Sequence, residues 1–126
     1  MSREYVTGER EEGRSYSRAV KVKGGTMVFL AGVGGATGPD GALDFAGQTR
    51  NAFERLRANL ADAGGTLADV TTMTVFITDA RYGDEFTQVR KEFFDGGYPC
   101  SALITVAGLA RPEMLVEVQA IAVLDD

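Results

Sequence analysis

Hydrophobic and polar positions alternate in two early segments, Tyr16–Val22 and Met27–Gly32, with Lys23-Gly24-Gly25 between them. Short β-branched runs of period two on either side of a glycine turn predict a β-hairpin. The next stretch, Gly32 to Gly41, holds five glycines and a Pro39-Asp40-Gly41 turn, which predicts a loop with unusual backbone freedom. The period then changes. Asp44 offers an N-cap, Thr49, Ala52, Phe53, Leu56, Leu60 and Ala63 recur at helical spacing, and Gly64-Gly65 closes the segment.

Residues 70–78 are too β-branched for a helix and place Met73, Val75 and Ile77 on one face of a strand. Asp79 or Asp84 can cap a second helix with Phe86, Val89 and Phe93 in one stripe, stopped by Gly96-Gly97. Two closing strands, about 101–107 and 115–124, flank a turn around Ala110–Glu113, and a further strand is possible near Glu4–Thr7. This order predicts a two-layer α+β domain, with two helices on one face of a five- or six-stranded mixed sheet.

The last strand sorts its residues by face. Val116, Val118, Ala120, Ala122 and Leu124 form an apolar side suited to the helices, whereas Leu115, Glu117, Gln119, Ile121 and Val123 mix oil and polarity on the reverse. The preceding strand is expected to point Ala102, Ile104 and Val106 inward, against Ser101, Leu103 and Thr105. A reverse face too greasy for water and too polar for a core predicts cover by another copy of the chain, with polar groups left in clefts at the boundary.

At 126 residues the chain is one domain, spanning 1–126, and large enough to need no disulfide or metal staple. It contains no histidine and a single cysteine, which removes Ser-His-Asp and Cys-His catalysis, His-ligated zinc and Cys-x-x-Cys sites. A formal charge of −5, with scattered basic residues, disfavours a nucleic-acid partner. Neither a long apolar span nor a signal peptide is evident, so the expectation is no membrane partner and a cytoplasmic address, where Cys100 stays reduced.

The element order resembles the Rid family, also called YjgF or UK114-like. So do Tyr16-Ser17-Arg18-Ala19-Val20, Leu30-Ala31-Gly32, Gln48–Ala52, Thr78-Asp79, Tyr98-Pro99-Cys100-Ser101 and Leu109–Ala122. That resemblance implies a chorismate-mutase-like fold assembled as a barrel-like homotrimer with three clefts between subunits. It also implies cofactor-free hydrolysis of reactive 2-enamines and 2-imines to 2-keto acids and ammonia. Carried over by position, a cleft tyrosine is Tyr16, a cleft glycine is Gly32 and a glutamate beside the water is Glu117. The family's carboxylate-binding arginine, just after the proline that opens the penultimate strand, is absent. Ser101 stands in its place.

Each candidate has a structural alternative. Glu117 on a largely apolar face would cost several kcal/mol to bury unpaired, roughly, so it either manages a proton and a water or pairs with an arginine of a neighbouring subunit. Tyr16 and Arg18, two apart on a strand, share a side; Arg18 either grips an anionic substrate with its planar fork or is a solvated edge residue. Cys100 is either a small hydrophobe at the cleft mouth or, beside a cation, a nucleophile. Ser101 is expected to face the cleft and donate to ligand or water. The run Gly32–Thr37 lacks the third glycine and helix start of a dinucleotide fingerprint. No metal spacing is present among the carboxylates. The leading function is therefore a hydrolase of small anionic imine-like metabolites. The alternative is a non-catalytic trimer that binds a small carboxylate or acts as a chaperone. Ribonuclease activity is a third reading, weakened by the charge and the absent histidine.

Overall fold

A computed structural model describes residues 1–37 and 43–126. The Pro39-Asp40-Gly41 turn lies outside them. In chain order the elements are β1 (Ser2–Val6), β2 (Ala19–Lys23), β3 (Thr26–Phe29), β4 (Val33–Gly34), α1 (Phe45–Asp62), β5 (Val70–Ile77), α2 (Gly83–Lys91), β6 (Cys100–Thr105) and β7 (Val116–Leu124). Both helices pack on one face of a mixed sheet ordered β3-β7-β5-β6, with β4 also paired to β7. Among the described strands only β5 and β6 pair in parallel, with an isolated parallel bridge from Ser17 to Cys100, and β1-β2 forms a separate antiparallel pair. The expected α+β class is therefore observed. Among the described residues no helix is long and apolar enough to cross a membrane.

α1 begins where Asp44 accepts a hydrogen bond from the Gly47 amide at 2.8 Å and ends at Gly64, whose φ of 89° suits a residue without Cβ. Ala52, Phe53, Leu56 and Leu60 are fully buried against Val70, Val75, Val116, Val118 and Ala122 of the sheet. Its polar side chains hold the glycine segment: Asn51 Nδ2 donates to the Gly35 carbonyl at 3.0 Å and Arg55 Nη1 to that of Gly34 at 2.8 Å. Gln48 is buried and ties α1 to the start of β7, donating to the Glu113 carbonyl and accepting from the Leu115 amide.

Four expectations require correction. The hairpin does not form: β2 pairs with β1, while β3 pairs with β7 in the register Thr26↔Leu124 to Phe29↔Ile121. Gly24 and Gly25, both at positive φ, direct the chain from one sheet to the other. Tyr16 precedes β2, joined by an isolated bridge at Ser17. The glycine loop contains a short strand, β4, opposite Val118 and Glu117. Asp79 caps a 3-10 turn over Ala80–Tyr82, and α2 follows it from Gly83, with Phe93 beyond its end.

The fourth correction concerns β6. Parallel register pairs Met73 with Ser101 and Val75 with Leu103, so Ser101 and Leu103 share the helix-side face, and Ala102 and Ile104 lie on the other. Both faces of β6 carry hydrophobes, which leaves alternation alone unable to choose between them. β7 behaves as expected: Val116, Val118, Ala120 and Ala122 are buried under the helices, with Glu117, Gln119 and Ile121 on the open face.

Candidate functional site

The open face of the sheet carries the first constellation. Glu117 lies on β7 beside Phe76 of β5 and Gly34 of β4. It is half-buried. No cation pairs with it among the described residues. Gly32 packs directly on its carboxylate, and a Cβ there would stand 2.7 Å from Glu117 Oε2. A glycine is thus what lets backbone approach the acid. Farther along the same face, Phe29, Thr72, Thr74, Gln119 and Ile121 line a shallow pocket of about 230 Å³.

Cys100 opens β6 on this face, paired with Thr72. Its thiol is half-buried and donates to the Thr71 carbonyl at 3.4 Å. No basic side chain pairs with it in that contact.

A second constellation forms where the segment before β2 crosses β6. Ser17 anchors the crossing, its amide donating to the Pro99 carbonyl at 3.0 Å and its hydroxyl to the Tyr98 carbonyl at 2.7 Å. Tyr16 is thereby set beside Ser101 and α2, in a pocket of about 240 Å³ lined also by Arg14, Thr87, Arg90 and Leu103. Ser101 does not face the open side; its hydroxyl accepts from Arg90 Nη1 at 2.7 Å. Arg18 is exposed and lies 3.9 Å from the buried carboxylate of Glu11, outside this pocket's lining.

The structure therefore brings Gly32 to Glu117 and Tyr16 to Ser101, but holds these two pairs on opposite faces of one sheet. Arg90 was missed by the sequence reading. Its signal was available: it follows Phe86 by four residues on the stripe that also contains Val89, so a basic side chain falls on the buried side of α2.

The model of the endoribonuclease L-PSP family matches residues 10–124. The chain belongs to that family. Among solved structures, Rv2704 of Mycobacterium tuberculosis, a member of the YjgF/YER057c/UK114 family, is 35% identical with a TM-score of 0.71, over 98% of this chain and 100% of that one. YyfB of Yersinia pestis, of the Rid family, is 26% identical at a TM-score of 0.85, again over 98% and 100%. RidA of an Antarctic Psychrobacter is 30% identical at 0.72, over 87% of this chain and 89% of that one. YjgF/Rid membership thus extends over nearly the whole length of this chain.

Proposed function

We propose that this family member is a cofactor-free hydrolase of small, anionic enamine- or imine-like metabolites, acting in a cleft that closes between copies of the chain. The observation that carries the reading is Glu117: a half-buried carboxylate on an otherwise largely apolar surface, free of any ion pair among the described residues and abutted by a glycine. Such a group is free to hold water. In imine hydrolysis, Glu117 takes a proton from that water as its oxygen bonds to the electrophilic carbon and passes it to nitrogen, giving a carbinolamine; it then takes the hydroxyl proton as the carbonyl forms and delivers it to nitrogen as the C–N bond breaks and ammonia leaves. An enamine first takes a proton at its β-carbon from the protonated Glu117, which leaves the carboxylate to act on the water as above.

Gly32 brings backbone to the reacting side, with Cys100 farther along the same face. Tyr16, Ser101 and Arg18 stand elsewhere in the same chain. For Tyr16 to act with Glu117, one copy must present its β6 edge to the open face of the next. Homotrimeric assembly, implied by the Rid resemblance, supplies such an arrangement.

A coupled assay tests the proposal. 2-Aminoacrylate or 2-iminobutanoate is generated in situ, and keto-acid release is followed without protein, with the wild type and with Glu117→Ala. Acceleration by the wild type and its loss in the variant are expected. Equal rates in all three would retire the hydrolase in favour of a carboxylate-binding module without turnover.

A further inference from the structure

Opposite β7 the chain carries one residue too many. Phe29, at the end of β3, faces Ile121, and Val33, at the start of β4, faces Val118, so Leu30, Ala31 and Gly32 stand against Gln119 and Ala120. The Leu30 amide still donates to the Ala120 carbonyl at 3.1 Å. That confines the surplus to Ala31-Gly32, opposite Gln119. A β-bulge of this kind bends its strand and re-aims what the strand carries. Here it delivers Gly32 onto the carboxylate of Glu117. The strand that follows, β4, pairs over two residues, one of them a glycine, which is too little to hold the bulge by itself.

Support comes from α1. Arg55 Nη1 donates to the Gly34 carbonyl at 2.8 Å, Asn51 Nδ2 to that of Gly35 at 3.0 Å and Arg55 Nη2 to that of Ala36 at 3.3 Å. Three successive carbonyls are thus held by two side chains one helical turn apart. Arg55 is exposed and has no carboxylate within ion-pair distance among the described residues. Its planar fork spans two carbonyls at once, which the single ammonium of a lysine does not copy. An exposed guanidinium gains little stability by exchanging water for carbonyls, so what the contact contributes is placement. Gly35 lies so close to the helix that a Cβ there would overlap the Gln48 carbonyl. The helix does not yield, since Phe53, Leu56 and Leu60 anchor it in the core.

We propose that Asn51 and Arg55 are positioning residues for Glu117, locking the Ala31-Gly32 bulge from its C-terminal side while β3 holds the other. Neither hydrogen-bonds to the carboxylate; their partners are backbone carbonyls. The path runs through the main chain: α1 fixes residues 34–36, Gly34 pairs with Glu117, and Gly32 closes on the acid. Releasing the clamp lets the segment lift from α1, which gives the carboxylate room to leave the orientation that Gly32 imposes. A smaller share of molecules then holds the acid in its working geometry. The catalytic consequence rests on the hydrolase reading, whereas the placement of the carboxylate does not.

The test reads geometry and rate separately on the full chain. With glutamate labelled at its carboxyl carbon, the ¹³C resonance lost in Glu117→Gln is that of Glu117. Arg55→Ala and Asn51→Ala are expected to move it and Arg55→Lys to move it less. Arg57→Ala should leave it in place, because that exposed arginine of the same helix is engaged with Glu54. Urea midpoints of the Arg55 variants should match the wild type. In the keto-acid assay kcat should fall about tenfold in Arg55→Ala at unchanged KM, short of the roughly 100-fold expected when a catalytic group is displaced by about 1 Å. Arg55→Lys should recover part of the loss. A Glu117 resonance unmoved in folded Arg55→Ala and Asn51→Ala overturns the proposal whether or not the wild type turns substrate over, and an equal effect in Arg57→Ala does the same. Keto-acid release by the wild type at a rate that Arg55→Ala leaves unchanged also overturns it, with the hydrolase still standing. A wild type without turnover whose resonance moves as expected retires the hydrolase and upholds the placement of Glu117 by α1.

Discussion

Gly32 and Glu117 sit close enough that their chemistry cannot be separated. A Cβ at position 32 would lie 2.7 Å from Oε2 and 3.1 Å from the carboxyl carbon of Glu117. The atom displaced is the far end of a flexible side chain, so relief comes by swinging the carboxylate aside and not by moving backbone. Gly32→Ala is therefore expected to change folding stability by less than about 1 kcal/mol, in line with substitutions away from a packed core. Turnover should fall on the order of 100-fold, because misplacing a catalytic group by about 1 Å has that effect. Urea unfolding beside the coupled keto-acid assay measures both. A folded variant with wild-type turnover would show that the position of Glu117 is unimportant to the chemistry.

Between β5 and α2 a short turn supplies the clearest titration in the fold. Asp79 accepts from the Arg81 amide at 2.9 Å and from its guanidinium at 2.6 Å. Arg81, first through these hydrogen bonds, holds the Asp79 carboxyl down from 3.8 to about 2. A depressed carboxylate stabilises the fold at pH values above its unfolded pKa, and the contribution fades as pH falls through the folded value. Asp79→Asn keeps a side-chain oxygen for the cap and removes the charge. The stability gap between wild type and variant, read from urea midpoints, should be constant from neutral pH down to about pH 5 and close towards pH 2. The pair is solvent-exposed, so the gap is small. A gap independent of pH would mean that the ion pair contributes nothing.

The elements differ in how openly the sequence announces them. α1 and β7 were legible because each has one buried stripe and a recognisable boundary: Asp44 and Gly64 for the helix, and the Val116-Val118-Ala120-Ala122 face for the strand. Pairing was less legible. Alternation identifies β2 and β3 as strands but not their partners, and Gly25 packs so tightly on the end of β7 that a Cβ would sit 2.6 Å from the Leu124 carbonyl. This close approach draws β3 to β7 and away from β2. The direction of β6 was hidden for a different reason, since Leu103 and Ile104 are both large and apolar and only its register with β5 assigns their faces. Of the candidate residues, Glu117 and Gly32 meet as chain neighbours in space, and Tyr16 meets Ser101. Arg90 could have been found only by treating a cation on the Phe86-Val89 stripe as a signal in its own right.

At the scale of the whole molecule, one face of the sheet carries both helices, and the other carries no helix among the described residues. Phe29 is 70% exposed, Met27 58% and Ile104 42%, and Phe76 and Ile121 lie on the same open side. Contiguous apolar surface of this kind marks an interface. Beyond the bridge at Cys100, β6 adds an edge with Ala102–Thr105 exposed along it and no strand paired there among the described residues, a further invitation to association. Among possible occupants, a second copy fits best, because the open face carries Glu117 while the β6 edge carries the pocket of Tyr16 and Ser101. Joining edge to face between symmetry-related chains would bring the two together, and closing the ring at three would hide every open face. Light scattering on the wild type should then report about 40 kDa, three times the 13.4 kDa chain. Phe29→Asp, which places a charge on the most exposed aromatic of that face, should shift the mass towards the single chain. Because position 29 is outside the core, far-UV circular dichroism should remain that of the wild type. Keto-acid release should fall with the mass if the site is shared between copies. A wild type that is monomeric at micromolar concentration, or a Phe29→Asp variant that keeps full mass, would remove self-association through this face and with it the shared cleft.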